Sequence, residues 1–268
     1  MLCFERNLPI TDHILYAIGD VHGRADLLGD LLDWIEADAP AQGAQPCVRF
    51  LGDIIDRGPE SRAAMDMVAD TLDRWPGSRL MLGNHDDWLL QFLAGRPPEE
   101  DDWFELWMEQ GGQETLSSYA ASADRPRDAR DIILDRHARH VQVLREASIL
   151  ECNGPFAFVH AGVDPAAGFD AQMRGTCLRI RSQFLQHVGL LDHVVIHGHS
   201  PQRPAQPTVT ENRISMDTGA FFSGVLSVAA IAPGTVRFMA ARERLGVSPI
   251  EATRFDRGLG TAIDRLAA

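Results

Sequence analysis

The chain has 268 residues, 45% hydrophobic and 24% charged, fractions ordinary for a globular protein. Its 25 Lys and Arg stand against 38 Asp and Glu, a formal net charge of −13, which argues against broad attachment to nucleic acid or an anionic membrane. No apolar stretch approaches the ~18 residues of a membrane span, and the N-terminus lacks a basic segment followed by an apolar run. The expectation is therefore a soluble, cytoplasmic protein of one large domain.

The first third alternates strand and helix signals. His13–Ile18 is a short apolar run ending at Gly19-Asp20, and residues 25–36 place Leu27, Leu28, Leu31, Leu32 and Ile35 at helical spacing. Cys47–Leu51 is a second run, ending at Gly52-Asp53; residues 60–73 carry Ala64, Met67, Val68 and Leu72 on one helical face. Arg79–Leu82 is a third strand, ending at Gly83-Asn84. This β-α-β-α-β order predicts a parallel sheet with right-handed crossovers.

Residues 87–147 read as helical, an insertion covering one end of the sheet, punctuated by Pro97-Pro98 and Gly111-Gly112. The remainder turns strand-rich, with runs at Ser148–Cys152, Phe156–His160, Val194–His197, Arg213–Met216, Val225–Ile231 and Thr235–Met239. A helix over about 175–188 interrupts them. The domain is drawn as 1–240, with 241–268 a polar tail. Cys3, Cys47, Cys152 and Cys177 form no C-x-x-C pair. Cys47 and Cys152 lie in or beside apolar runs, so buried free thiols and a reducing compartment are expected.

The chemistry sits at the strand ends. The first delivers Asp20 and His22 in G-D-V-H-G, the second Asp53 in G-D-I-I-D-R-G, the third Asn84 and His85 in G-N-H-D. Later runs deliver His160 in H-A-G and His199 in H-G-H. In an open α/β sheet, ligands bind beyond the carboxyl ends of the strands. Five such ends offering Asp, His and Asn to one edge build a site, and these donors suit hard or borderline divalent metals such as Mn, Fe or Zn. One such residue alone is more often a helix cap or loop carboxylate; all five blocks in order are not. His197 alternates with His199 and is expected to point away from the site.

These blocks resemble the phosphoprotein phosphatase branch of the calcineurin-like metallophosphoesterases, nearest to small bacterial and phage Ser/Thr protein phosphatases. W-x-x-x-G-G-x-x-T-L (Trp107–Leu116), H-G-H-S-P (197–201) and D-T-G-A (217–220) add to the likeness. The resemblance implies a two-sheet β-sandwich flanked by helices, α/β/β/α, and two divalent metal ions, with manganese the first choice. It implies that Asp20 and His22 hold one metal, that Asp53 bridges both, and that Asn84, His160 and His199 hold the other. His85 would be the general acid, oriented by Asp56. Arg57 and Arg181 would bind phosphate, although the family's W-x-R reads Arg179-Ile180-Arg181 here.

The implied activity is hydrolysis of phosphate monoesters by a metal-activated hydroxide, on a phosphorylated protein or a small phosphoester, with no nucleic acid and no membrane as partner. The alternative is a diadenosine tetraphosphatase-like enzyme. Asp86 of G-N-H-D favours it and Asp56 opposes it. A catalytically silent binding module on the same fold is disfavoured by the complete ligand set. Asn84 and His85, adjacent on an extended segment, are expected to point to opposite sides and so to divide the two roles.

Overall fold

The computed structural model describes residues 13–97, 102–120, 123 and 125–254. In chain order β1 (His13–Ile18), α1 (Ala25–Ala41), β2 (Gln45–Phe50), α2 (Ser61–Arg74) and β3 (Arg79–Leu80) form the β-α-β-α-β unit, with β1, β2 and β3 parallel. The helical segment follows as α3 (Asn84–Ala94), α4 (Trp103–Trp107), a π-helical turn at Met108–Gly112, α5 (Gln113–Ala120), α6 (Pro126–Arg136) and α7 (Ala138–Glu146). Next come β4 (Leu150–Asn153), β5 (Phe156–Val159), α8 (Arg174–Arg179), α9 (Ser182–Leu185), β6 (Val194–His197), β7 (Thr208–Val209) and β8 (Arg213–Ser215). The chain closes with α10 (Ala220–Ser223), β9 (Val225–Ala232), β10 (Thr235–Arg242), β11 (Gly246–Pro249) and β12 (Thr253–Arg254).

The strands make two six-stranded mixed sheets, ordered β11-β10-β9-β1-β2-β3 and β12-β7-β8-β6-β5-β4. Side-chain alternation on the pleat assigns each residue to a layer. On β1, Tyr16 and Ile18 face α1, α2 and the helical segment, while Ala17 faces the other sheet. On β5, Phe156 and Phe158 fill the space between sheets; Ala157 and Val159 pack on Cys177 and Phe184 of α8 and α9. The result is an α/β/β/α sandwich with the helical insertion at one end. Truncating Phe158, fully buried between the sheets, would cost about 3–5 kcal/mol.

Some expectations change. Cys152 is exposed rather than buried, because β4 is an edge strand and Cys152 lies on its outward side. The helix expected over 175–188 is two short helices broken at Ile180-Arg181, where Arg181 has φ −131° and ψ −95°. Residues from 241 to 254 complete β10 and supply β11 and β12, one strand to each sheet; residues 255–268 and Cys3 lie outside the described residues. Among those described, no helix is long and apolar enough to cross a membrane.

Candidate active site

The loops following β1, β2, β3, β5 and β6 converge on one edge of the sandwich. Backbone geometry there is unusual. Seven described non-glycine residues have positive φ, and five belong to these loops: His22, Asp53, Asp56, Arg57 and His199, at 47° to 71°. Such conformations cost of order 1–3 kcal/mol each and persist only where the surroundings enforce them.

The enforcement is visible around Asp53. The Asp86 carboxylate accepts the backbone N–H groups of Asp53 (2.8 Å), Gly83 (3.0 Å) and Ile54 (3.1 Å). It therefore ties the loops after β2 and β3 into one body. Asp53 in turn accepts the N–H of His85 on Oδ1 at 2.9 Å, leaving Oδ2 facing inward.

Two histidines share a pattern. His22 donates Nδ1–H to the Ile55 carbonyl at 2.8 Å, and His160 donates Nδ1–H to the Leu51 carbonyl at 2.8 Å. A carbonyl only accepts, so each ring, when neutral, carries its lone pair on Nε2. Nε2 of His160 faces acceptors, while Nε2 of His22 meets both Asp53 and the Arg57 guanidinium. His160 Nε2 lies 3.3 Å from Asp53 Oδ2 and 3.0 Å from Asn84 Oδ1; His22 Nε2 lies 3.7 Å from Asp53 Oδ2. The buried His199 Nε2 has no hydrogen-bond partner. Acceptors gathered around an imidazole Nε2 in a dry site call for a cation, which is a proton on His160 when no metal is bound and a metal ion when one is.

Two groups of donor atoms lie within 4.8 Å of one another: His22, Asp53 and His85, and Asp53, His160 and His199. Asp53 is common to both. These residues fit a pair of divalent ions. Asp20 lies behind the second group, its two oxygens accepting the His199 N–H at 3.1 and 2.9 Å.

The charge states follow from burial and proximity. Burial opposes ionisation of Asp53, yet His160, His85 and His22 together hold its carboxyl well below the ordinary range. Burial raises Asp20, and Asp217 raises it further. His160, although buried, is raised to about 9, chiefly by Asp53. Burial lowers His199 to about 2, aided by the charge of His160.

His85 falls within the first group, but both its ring nitrogens are engaged by other side chains. Its Nδ1 lies 2.7 Å from Asp56 Oδ2, and its Nε2 accepts from Arg57 Nη2 at 3.1 Å. Burial lowers its pKa to about 4. Asn84 and His85 do diverge, one to His160 and one to Asp56, but not on an extended segment: they open helix α3, where consecutive side chains fan by about 100°. Arg57 also donates Nη1 to His22 at 3.0 Å. Arg181 is exposed and donates to the His199 carbonyl at 3.3 Å, whereas Arg179 pairs with Asp87 at 3.2 Å and Arg174 with the same carboxylate at 2.6 Å. His197 turns away from the centre, as alternation requires, and bonds Ser215 at 2.8 Å.

Four contributors were not assigned roles by the sequence. Trp107 donates its indole N–H to Asp56 Oδ2 at 2.8 Å, and Thr115 its hydroxyl to Asp56 Oδ1 at 2.6 Å. Gly111, at φ +106°, presses on Arg57: a Cβ there would stand 2.2 Å from the Arg57 nitrogen. The turn at Met108–Gly112, kinked at Gly111, thus packs against Arg57 while its flanking helices bring Trp107 and Thr115 to Asp56. The W-x-x-x-G-G-x-x-T-L motif was the available signal. Asp86 is the fourth.

Comparison with known proteins agrees with this geometry. The model of the calcineurin-like phosphoesterase family matches residues 15–214. The chain is 35% identical over 151 residues to a symmetrical bis(5'-nucleosyl)-tetraphosphatase of Janthinobacterium sp. (strain Marseille), covering 56% of this chain but 44% of that one. The chain thus spans less than half the length of that relative. It is 25% identical over 231 residues to the asymmetrical enzyme PrpE of Geobacillus thermodenitrificans, covering 78% and 87%. It is likewise 25% identical over 246 residues to a symmetrical enzyme of Nitrosospira multiformis, covering 86% and 77%. Among solved structures, a candidate diadenosine tetraphosphatase superposes with TM-score 0.56 at 20% identity, over 87% of this chain and 96% of that one. A mutant cold-active protein tyrosine phosphatase gives 0.52 at 15%, over 92% and 84%. These two likenesses bear on the fold alone. With the family's model spanning most of the sequence, from β1 to β8, and the strand-end ligands drawn to one edge, the chain belongs to the calcineurin-like phosphoesterases.

Proposed function

We propose that this chain is a metal-dependent hydrolase of dinucleoside tetraphosphates. The hydrolase reading is carried by the two ligand groups that share Asp53. The substrate class is supported by the curated relatives, which are named bis(5'-nucleosyl)-tetraphosphatases. This moves the reading from the Ser/Thr phosphoprotein phosphatase to the alternative weighed beside it, and from a monoester to a phosphoanhydride. Asp56, which had favoured the phosphatase branch, holds His85, Trp107 and Thr115, a positioning task that either reaction needs.

Asp20, His22, Asp53, Asn84, His160 and His199 are the proposed ligands, and Mn²⁺ the proposed metal, with Fe or Zn compatible. When bound, two such ions supply Lewis acidity and lower the pKa of water towards neutrality. Arg57 and Arg181 offer paired donors to phosphoryl oxygens and counter the charge that develops on them. His85 handles the proton at Nε2, the nitrogen turned to Arg57, while Asp56 fixes the ring through Nδ1. Asp86 and the π-helical turn keep these groups still as charge shifts.

The test is a panel of diadenosine tetraphosphate, a phosphoserine peptide and p-nitrophenyl phosphate, each with Mn²⁺. The expected result is a kcat/KM for the dinucleotide exceeding that for the peptide by about tenfold or more. The reverse order would return the chain to the phosphoprotein phosphatases.

A further inference from the structure

Beside Arg57 lies a cavity of about 420 Å³ whose walls differ sharply in character. The Arg57 guanidinium lines it, 4.8 Å from the centroid of the Phe221 ring. Phe221 also meets the His22 ring edge-on at 5.5 Å. One ring further out, Phe222 meets Phe221 at 4.9 Å and 88°. Met108, Glu109, Gln110 and Glu114 line it as well.

Phe221 and Phe222 are 36% and 53% exposed, and few large apolar side chains among the described residues are exposed. Exposure of an aromatic ring beside a charged site calls for a use. Phe222 is not a loose surface residue. Its N–H donates to the Gly219 carbonyl at 3.0 Å, and its ring lies over Gly219 so closely that a Cβ there would be 2.1 Å from Cζ. Gly219 has φ +67°, so glycine serves both the turn and the seat of the ring. The ring is seated at its tip and remains half exposed.

We infer that the Phe222 side of this cavity is a nucleobase subsite, in which one adenine of the substrate stacks while its phosphates extend past Arg57 to the metal ligands. The inference rests on the substrate class proposed above and deepens it. The lining sets the polarity: the Arg57 cation attracts phosphate, and Glu109 and Glu114 repel it while offering acceptors to an exocyclic amine. Stacking on an aromatic face tolerates any base, so the subsite favours nucleotides as a class over bare polyphosphate.

The experiment is calorimetric binding of adenosine 5'-diphosphate and of inorganic pyrophosphate to the Mn²⁺-loaded full chain, in wild type, Phe222→Ala and Phe222→Tyr. Wild type is expected to bind the nucleotide about tenfold tighter than pyrophosphate. Phe222→Ala should erase that preference with pyrophosphate affinity unchanged, and Phe222→Tyr should retain it. Equal affinities in wild type, or a preference that survives in Phe222→Ala, would overturn the subsite. Hydrolysis of diadenosine tetraphosphate, measured separately, distinguishes the two readings. Cleavage without base preference removes the subsite alone. Base preference without cleavage removes the substrate assignment and leaves a nucleotide site.

Discussion

The indole N–H of Trp107 donates to Asp56 Oδ2 across 51 positions of sequence, at 2.8 Å. The same oxygen lies 2.7 Å from His85 Nδ1. A tryptophan of the helical insertion thus sets the orientation of a carboxylate that in turn orients the proposed proton donor. Trp107→Phe keeps the ring and removes the donor. It is expected to lower kcat by about 10-fold, within the 10–100-fold usual for supporting hydrogen bonds, with two metals still bound. Turnover assays beside metal analysis check this, and an unchanged kcat would show that the bond is structural only.

Asp53 is shared by both ligand groups, whereas Arg57 touches their rim through His22 and His85. Asp53→Asn should therefore lower metal content and activity together, and by more than Arg57→Ala. Elemental analysis and kcat/KM measured on both variants decide the order. Two metals retained in Asp53→Asn with full turnover would remove it from the bridging position.

Asp86 accepts three backbone N–H groups, a task no amide can duplicate, because its NH₂ end only donates. Asp86→Asn should leave at least one buried N–H unsatisfied, at about 1–3 kcal/mol. A lowered Tm in the metal-free protein is the expected reading. An unaltered Tm would mean that the loops after β2 and β3 hold together without it.

Chelation offers a test at the level of the whole site. EDTA should abolish activity and Mn²⁺ restore it, and Mn²⁺ should raise Tm in a concentration-dependent way, since a ligand that binds only the folded state stabilises it by mass action. Full activity in protein shown to be metal-free would end the two-metal reading.

Much of this was legible because the informative residues follow short apolar runs. Asp20, Asp53, Asn84, His160 and His199 each sit just past a strand, and the topology of a parallel sheet brings such positions to one edge. The contributions of Trp107, Gly111 and Thr115 were not legible as chemistry. They act through contacts some 50 residues distant on a helical segment whose placement no local pattern dictates. Asp86 escaped for another reason: its partners are backbone groups, which every sequence has. The two-residue strands β7 and β12 carry too few residues for alternation to register. Cys152 misled because its neighbours in sequence are apolar while its place in the sheet is an edge.

The five left-handed residues of the site have a consequence for the chain's evolution and engineering. Glycine at His22, Asp53, Asp56, Arg57 or His199 would relieve backbone strain, so at these positions local backbone preference and chemistry disagree. A selection for thermal tolerance alone would drift towards glycine there and abandon catalysis, while a selection for turnover would keep the strained side chains and gain its rigidity elsewhere, as in the three-way grip of Asp86. The same loops would then record a trade between durability and activity, readable in which of the two a library of variants gives up first.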